Sequence, residues 1–170
     1  MKIKLASLAA CVWLACMTGA AFAQPTSDDP EWKESEAPPP PAFDMGKVLP
    51  FDVSINSALT YGVDPASITI SPSDGIVRYV VVATSASGAR NVMYEAIRCA
   101  TGEFKTYARY TPDNKWVPVA KAEWRSMFDN MPSRHPLRFA RVAACDNAAP
   151  VSTVAQMVYR LKNPALVNSR

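Results

Sequence analysis

The pattern of apolar and polar positions beyond residue 48 predicts a sheet built from short strands. Apolar and polar residues alternate over residues 51–56, whereas residues 79–83 (YVVVA) are apolar at every position. Alternation is typical of a strand with one buried face, and a continuous apolar run indicates a central strand covered on both faces. We therefore expect residues 76–84 to form the middle of the sheet.

Turn residues separate further strand segments. Residues 91–99 and 103–111 flank Thr101-Gly102, and shorter segments lie at residues 67–71 and 116–119. Closely spaced strands joined by turns predict an antiparallel meander of four or five strands. Within residues 103–111 the expected buried face is Phe104, Thr106, Ala108 and Tyr110, and the expected wet face is Lys105, Tyr107 and Arg109.

Helical periodicity appears after the strands. Residues 151–162 place Val154, Met157, Val158 and Leu161 on one face, and Ser152 is a suitable N-cap. Residues 121–130 are expected to form a shorter helix. The predicted fold class is α+β, an antiparallel meander sheet covered on one side by one or two helices.

The first residues have the features of a signal peptide. Lys2 and Lys4 precede an apolar run over residues 5–17, and Ala21-Phe22-Ala23 fits the small-x-small rule, which places cleavage between Ala23 and Gln24. The run is shorter than the ~20 residues that a membrane span requires. We expect a periplasmic protein, with a lipoprotein anchored through Cys16, or a secreted protein, as the alternatives.

Residues 24–47 are predicted to be a disordered, acidic, proline-rich arm. Four consecutive prolines at positions 38–41 favour a polyproline II spacer, and the few apolar groups do not offset the entropy of ordering. Trp32 and Phe43 are the exceptions, and each is a candidate for docking onto the domain. The domain is expected to span residues 48–163, followed by a tail at residues 164–170.

Charge is distributed unevenly along the chain. Removing Lys2 and Lys4 from a chain of formal net charge +3 leaves about +1. Residues 24–75 contain nine acidic and two basic side chains, whereas residues 76–170 contain six acidic and fourteen basic side chains. Overall basicity is therefore weak, and export argues further against nucleic acid as a partner.

The cysteines that remain after cleavage are Cys99 and Cys145. Two thiols in an oxidising compartment can pair in one way, and their spacing does not match a C-x-x-C redox motif. We predict a structural disulfide between them.

Several segments resemble a known family in a shared order. They are residues 29–34 (DPEWKE), 62–68 (GVDPASI), 74–83 (DGIVRYVVVA) and 94–99 (YEAIRC). On these segments the chain is similar to the cryptic neisserial protein-like family, a group of exported proteins from Gram-negative bacteria. The resemblance implies an envelope location, and it brings no activity with it.

Candidate catalytic chemistry is sparse. His135 is the one histidine and could act as a general base, but no G-x-S-x-G elbow accompanies it, so a polar loop histidine is the simpler interpretation. Glu95 shares its face with Met93 and Ile97, and if buried it needs a partner, for which Arg78 is suitable. We assign no catalytic residue.

Ligand sets for metals and cofactors are equally sparse. One histidine and two paired cysteines do not make a tetrahedral zinc site, and six scattered glycines make no phosphate-binding loop. We expect no metal and no cofactor.

A basic surface is the sharpest functional hypothesis. Arg134, Arg138 and Arg141 have the spacing of one helical face, with His135 between them and Trp124 and Arg125 upstream. Such a surface suits an anionic glycolipid or peptidoglycan, an envelope protein, or this chain's own acidic arm. We expect a non-enzymatic envelope protein that binds or scaffolds such a component, and a small periplasmic hydrolase of an envelope polymer is the alternative.

Overall fold

The computed structural model describes residues 32–54 and 57–164. The predicted signal peptide, its cleavage site, Cys16 and the end of the tail lie outside these residues. The compact unit that contains the sheet begins at Trp32, sixteen residues before the expected start of the domain. Within the described residues, no helix has the length and apolar character needed to cross a membrane.

Eight strands of the described residues form one antiparallel sheet, which confirms the α+β class and the meander. Their order is β1-β2-β4-β5-β6-β7, with β3 paired to β4 and β8 paired to β6. The sheet exceeds the predicted four or five strands because several strands are only two or three residues long. The strands are β1 (Leu49–Phe51), β2 (Leu59–Val63), β3 (Thr69–Ile70), β4 (Ile76–Ser85), β5 (Arg90–Arg98), β6 (Glu103–Tyr110), β7 (Trp116–Pro118) and β8 (Arg125–Ser126).

The continuous apolar run forms the central strand β4, as the sequence predicts. β4 is buried from Ile76 to Ala83 and pairs with both β2 and β5. Side chains alternate between two hydrophobic clusters, so that Val77, Tyr79 and Val81 face one side of the sheet while Val80 and Val82 face the other.

Helices cover the first of these faces. α1 (His135–Phe139) continues into a π-helix (Ala140–Ala144), and α2 (Val154–Lys162) follows after the two-stranded sheet of β9 (Cys145–Asp146) and β10 (Ala149–Pro150). Phe139 and Met157 are fully buried in the cluster beneath them. α2 begins at Val154, with Thr153 rather than Ser152 as its N-cap. Val151 instead donates its backbone N–H to the carbonyl of Ala144.

Residues 32–47 cover the opposite face; we call this segment the strap. Phe43 packs edge-on against Tyr110 and Trp116, with ring centroids 4.9 and 5.8 Å apart. Trp32 packs edge-on against Trp124 at 6.0 Å. The two aromatic residues singled out in the arm thus contact the domain, and together with polar contacts they offset the ordering entropy that predicted disorder for this part of the arm.

A β-bulge in β6 changes the expected division of that strand into a buried and a wet face. Glu95 pairs with Thr106, whereas Tyr94 pairs with Ala108, so that Tyr107 is the extra residue. Phe104 and Ala108 are both buried, but they belong to clusters on opposite faces of the sheet.

The segment at residues 121–130 does not form the expected helix. Arg125 and Ser126 form β8, which pairs with the start of β6, and Met127 donates its N–H to the carbonyl of Gly102. Pairing with β6 thus competes with helix formation here and prevails.

The predicted disulfide is present between Cys99 and Cys145, with a Cα–Cα distance of 5.7 Å. It joins the end of β5 to the residue that follows the π-helix. The bond therefore ties the sheet to the helical layer.

Candidate functional site

The residues proposed for binding divide into two groups in the structure. Arg134, His135, Arg138 and Arg141 belong to the start of the helical layer, whereas Trp124 and Arg125 lie beside β6. The α-helical spacing that would align the three arginines ends at Phe139, because residues 140–144 form a π-helix.

The arginines of the first group differ in their surroundings. Arg134 and Arg141 are exposed, and neither forms an ion pair with another described residue. Arg138 is half-buried and donates through Nε to the backbone carbonyl of Asp52 at 3.0 Å. Two of the three side chains are therefore free to meet a surface ligand, and the third helps to hold the loop after β1.

His135 is not the polar loop histidine that the sequence favours. It begins α1, is 8% exposed, and its ring stacks on Tyr61 at 5.0 Å with 7° between the planes. Its Nε2 lies 2.9 Å from Oε2 of Glu95. Burial against Tyr61 removes this residue from the candidate ligand-binding surface.

Glu95 is the centre of a buried polar network. Tyr79 donates to Oε2 at 3.2 Å and Thr106 donates to Oε1 at 3.0 Å. Burial alone would raise the pKa of Glu95, but the charge and hydrogen bond of His135, with those of Thr106 and Tyr79, outweigh it and lower that pKa. The carboxylate is therefore held in its ionised form.

The predicted pairing of Glu95 with Arg78 was wrong. Cross-strand pairing sets Tyr79 opposite Glu95, so the neighbouring Arg78 points to the other face of the sheet. There Arg78 forms a buried ion pair with Asp74, with Nη2 3.3 Å from Oδ2. The actual partner, His135, lies forty positions along the chain from Glu95, and no local pattern identifies it.

Ser133 adds a hydroxyl to this network. Its Oγ lies 3.1 Å from Nδ1 of His135 and also accepts the backbone N–H of His135. Both ring nitrogens of His135 are therefore engaged, one by Glu95 and one by Ser133. The series resembles a hydrolytic triad in composition, but its acid and base are buried, and its hydroxyl also accepts the backbone N–H of His135, the first residue of α1.

An open groove of about 400 Å³ lies along the edge of β6, on the face that carries Thr106. Its lining includes the cations Arg109, Lys121 and Arg125 and one acidic side chain, Glu123. None of the three cations forms an ion pair with a described residue; Arg109 contacts Asn91 Oδ1 at 3.5 Å. The groove therefore has a net positive charge and space for an anionic group.

Arg125 of the predicted set lies in this groove, whereas Trp124 does not. The indole Nε1 of Trp124 donates to Oε2 of Glu34 at 2.9 Å, so this side chain is bound to the strap. Sequence reasoning missed the roles of Lys121 and Glu34, although the excess of basic residues after residue 76 and of acidic residues before it gave a signal.

Within residues 32–54 and 57–164, no group of three or more histidine, cysteine or acidic side chains is placed to hold a metal ion.

Comparison with known proteins identifies one family. The model of the CNP1-like family matches residues 27–162. The chain is also similar to Cryptic neisserial protein 1 of Neisseria gonorrhoeae (strain ATCC 700825 / FA 1090), with 29% identity over an alignment 152 positions long; the alignment covers 79% of this chain and 73% of the relative. No solved structure gives a significant match.

Proposed function

This chain belongs to the CNP1-like family, and on that premise we propose that it is an exported, non-enzymatic envelope protein that binds an anionic component through the groove beside β6. One observation carries the proposal: Arg109, Lys121 and Arg125 line one open groove without ion-pair partners among the described residues. Arginine and lysine groups that converge on one space suit phosphate or carboxylate.

The ligand class follows from charge and compartment. The signal-peptide pattern directs the chain across the inner membrane, where glycolipid phosphates and peptidoglycan carboxylates are abundant polyanions. An open groove admits part of a polymer or a headgroup and does not need to enclose a small molecule. A periplasmic location is the simplest, and lipid attachment through Cys16 or secretion are the alternatives.

Sedimentation with purified peptidoglycan sacculi and with vesicles that contain lipopolysaccharide tests the binding proposal. The triple replacement of Arg109, Lys121 and Arg125 by alanine is expected to abolish salt-sensitive co-sedimentation with at least one of these materials. The matched control replaces Arg134, Arg141 and Lys162 by alanine; these three residues are exposed, and the control removes the same charge from the helical layer. Equal losses in the two triple variants, or no loss in the groove variant, would refute the groove as the site.

Intact-mass measurement of the protein in the periplasmic, membrane and cytosolic fractions tests export and processing. The expected mass is that of residues 24–170 less two hydrogens for the disulfide. A lipid-modified chain starting at Cys16 would establish the lipoprotein alternative, and an unprocessed chain starting at Met1 would argue against export.

A hydrolase that acts on an envelope polymer is the second candidate, and one observation favours it. Thr106 lines the groove and also donates to Glu95, so the Glu95–His135 pair lies next to the groove floor. The burial of both groups makes this candidate the weaker one. Release of soluble fragments from sacculi by the wild-type protein, lost in Glu95→Gln, would establish it in place of simple binding.

A further inference from the structure

The face of the sheet beneath the strap contains a site that binds a carboxylate of the strap. Glu34 accepts three hydrogen bonds there: from Lys105 Nζ at 2.9 Å, from Tyr107 OH at 2.7 Å and from Trp124 Nε1 at 2.9 Å. The bulge in β6 brings Tyr107 to the same side as Lys105, and the loop before β8 supplies Trp124. Three donors from separate positions thus converge on one carboxylate, which we call the Glu34 cage.

An aromatic site adjoins the Glu34 cage. The guanidinium of Arg98 lies 3.6 Å from the ring centroid of Trp32, and the same indole packs edge-to-face with Trp124. Nε1 of Trp32 donates to the backbone carbonyl of Asp74 at 3.0 Å. The sheet therefore recognises both the face and the polar edge of an indole two residues before the carboxylate.

The residue after Glu34 is also recognised. The backbone N–H of Ser35 donates to Oδ2 of Asp74 at 2.9 Å, and its hydroxyl donates to the same oxygen. Nη2 of Arg78 donates to the carbonyl and hydroxyl oxygens of Ser35 at 3.3 and 3.4 Å. The site thus reads a three-part pattern of indole, carboxylate and hydroxyl along an extended chain.

The face has more donors than the strap uses. The side chain of Arg78 is 3% exposed, yet neither its Nε nor the buried Nε of Arg98 has a hydrogen-bond partner among the described residues. The cations Arg78, Arg98 and Lys105 outnumber the two acids of the domain that pair with them, Asp74 and Glu103, so the face keeps one positive charge that favours an acidic occupant.

The strap is held at this site by side chains and not by a strand ladder. Residues 32–43 form no helix or strand, and among the described residues no backbone-to-backbone hydrogen bond joins them to the sheet. The prolines at positions 38–41 separate Glu34 from the Phe43 anchor. An equivalent peptide could thus replace residues 32–35 without disturbing the strand pairing of the domain.

We propose that this face is a binding site for an acidic peptide of a partner protein, in which an aromatic residue precedes a carboxylate by two positions, and that residues 32–35 fill it while the partner is absent. This site lies on the opposite face from the basic groove and does not depend on the function proposed for that groove. The groove and this site share one loop. Trp124 of that loop contacts Glu34 of the strap, and its neighbours Glu123 and Arg125 line the groove.

The test uses the full-length chain with Trp32→Ala and Glu34→Ala, which frees the site, and a labelled peptide of residues 27–37. Fluorescence anisotropy is expected to report saturable binding to this variant and at least roughly tenfold weaker apparent binding to the wild type, whose own strap competes at high effective concentration. Lys105→Ala in the freed variant is expected to weaken binding roughly tenfold or more. Lys115→Ala, an exposed lysine in the turn before β7, is the matched control and should leave binding unchanged.

Two results would overturn the proposal: no binding of the peptide to the freed variant, or equal binding of a peptide in which Glu34 is replaced by glutamine. If the double variant does not fold, the single variant Glu34→Gln, which keeps the Trp32 anchor, is titrated in its place. The same two results decide the test with this variant. Either of them would mean that the Glu34 cage is only an internal tether.

Discussion

Nε2 of His135 and Oε2 of Glu95 lie 2.9 Å apart inside the protein and join α1 to strand β5 of the sheet. The Glu95 side chain is 1% exposed and the His135 side chain is 10% exposed. Removing one member of such a pair leaves the other without compensation in a poorly solvated environment. The pair therefore fixes the start of the helical layer on the sheet.

Glu95→Ala is expected to lower the free energy of unfolding by about 3–5 kcal/mol, because His135, Tyr79 and Thr106 lose their common acceptor. Glu95→Gln should cost less, since an amide oxygen still accepts a hydrogen bond. Urea denaturation at pH 7, followed by circular dichroism, measures both values. Glu123→Ala, at an exposed position, is the control and should stay within about 0.5 kcal/mol of the wild type. A Glu95→Ala variant as stable as that control would contradict a structural role for the pair.

The pH dependence of stability should follow the buried carboxylates. Burial alone would raise the pKa of Asp74, but hydrogen bonds from Ser35 and from the backbone of Ile76 lower it strongly. A pKa depressed in the folded state contributes stability that is present above the unfolded value of about 3.9 and is lost as the pH falls through the folded pKa. The same sign holds for Glu34 and Glu95, whose pKa values are also lowered. Stability should therefore decline from about pH 5 downward.

Asp74→Asn is expected to be less stable than the wild type at pH 7 and to lose less further stability on acidification. Urea denaturation of the variant and of the wild type at several pH values from 7 to 3 gives the slope of the free energy of unfolding against pH for each protein. Asp113→Asn changes an exposed residue of the turn before β7 and serves as the comparison. Parallel pH profiles for Asp74→Asn and the wild type would show that Asp74 is not the source of the acid sensitivity.

Local pattern predicted the parts of the fold that depend on local chemistry. The apolar run of β4, the turn at Gly102 and the α2 periodicity each result from neighbouring residues. Cys99 and Cys145 are the two cysteines of the described residues, so they have one possible pairing among these residues. The bulge at Tyr107 was not predictable in this way, because the alternation of β6 is regular in the sequence and only the pairing with β5 reveals the extra residue.

The candidate sites depend on distant contacts, and they were only partly predictable. The arginine-rich composition indicated a basic surface, yet the groove joins Arg109 of β6 to Lys121 and Arg125 of a later loop. Glu34 and Lys105 are 71 positions apart, so the sequence of the arm alone does not indicate that Glu34 accepts a hydrogen bond from Lys105. This ion pair could be predicted only once it was known which face of the sheet the Lys105 side chain lies on.

The disulfide should make a large contribution to stability. Cys99 and Cys145 are 46 positions apart, and closing a loop of this size removes entropy from the unfolded chain equivalent to about 4 kcal/mol. The double replacement of both cysteines by alanine is expected to lower the free energy of unfolding by about that amount in urea denaturation. Dithiothreitol should destabilise the wild type similarly and leave the double variant unaffected. A wild-type protein whose unfolding does not respond to dithiothreitol would contradict the prediction.

Gly62 should tolerate no larger side chain, because β1 and the residue before it approach it closely. A Cβ atom at this position would lie 2.4 Å from Cγ1 of Val48 and 2.9 Å from the backbone oxygen of Leu49. Gly62 pairs with Pro50, so relief of the clash would pull β1 away from β2. Gly62→Ala is therefore expected to cost about 1–3 kcal/mol in urea denaturation.

The cause of that loss can be isolated with two further variants. Gly46→Ala meets only Oδ1 of Asp44 at 3.3 Å and should change stability by no more than about 0.5 kcal/mol. Val48→Ala removes the methyl group nearest to the new Cβ, so in the Gly62→Ala background it should cost less than it costs alone. Full additivity of the two replacements would mean that the clash with Val48 does not determine the loss. Partial rescue is the expected result, since the contact with the Leu49 carbonyl persists.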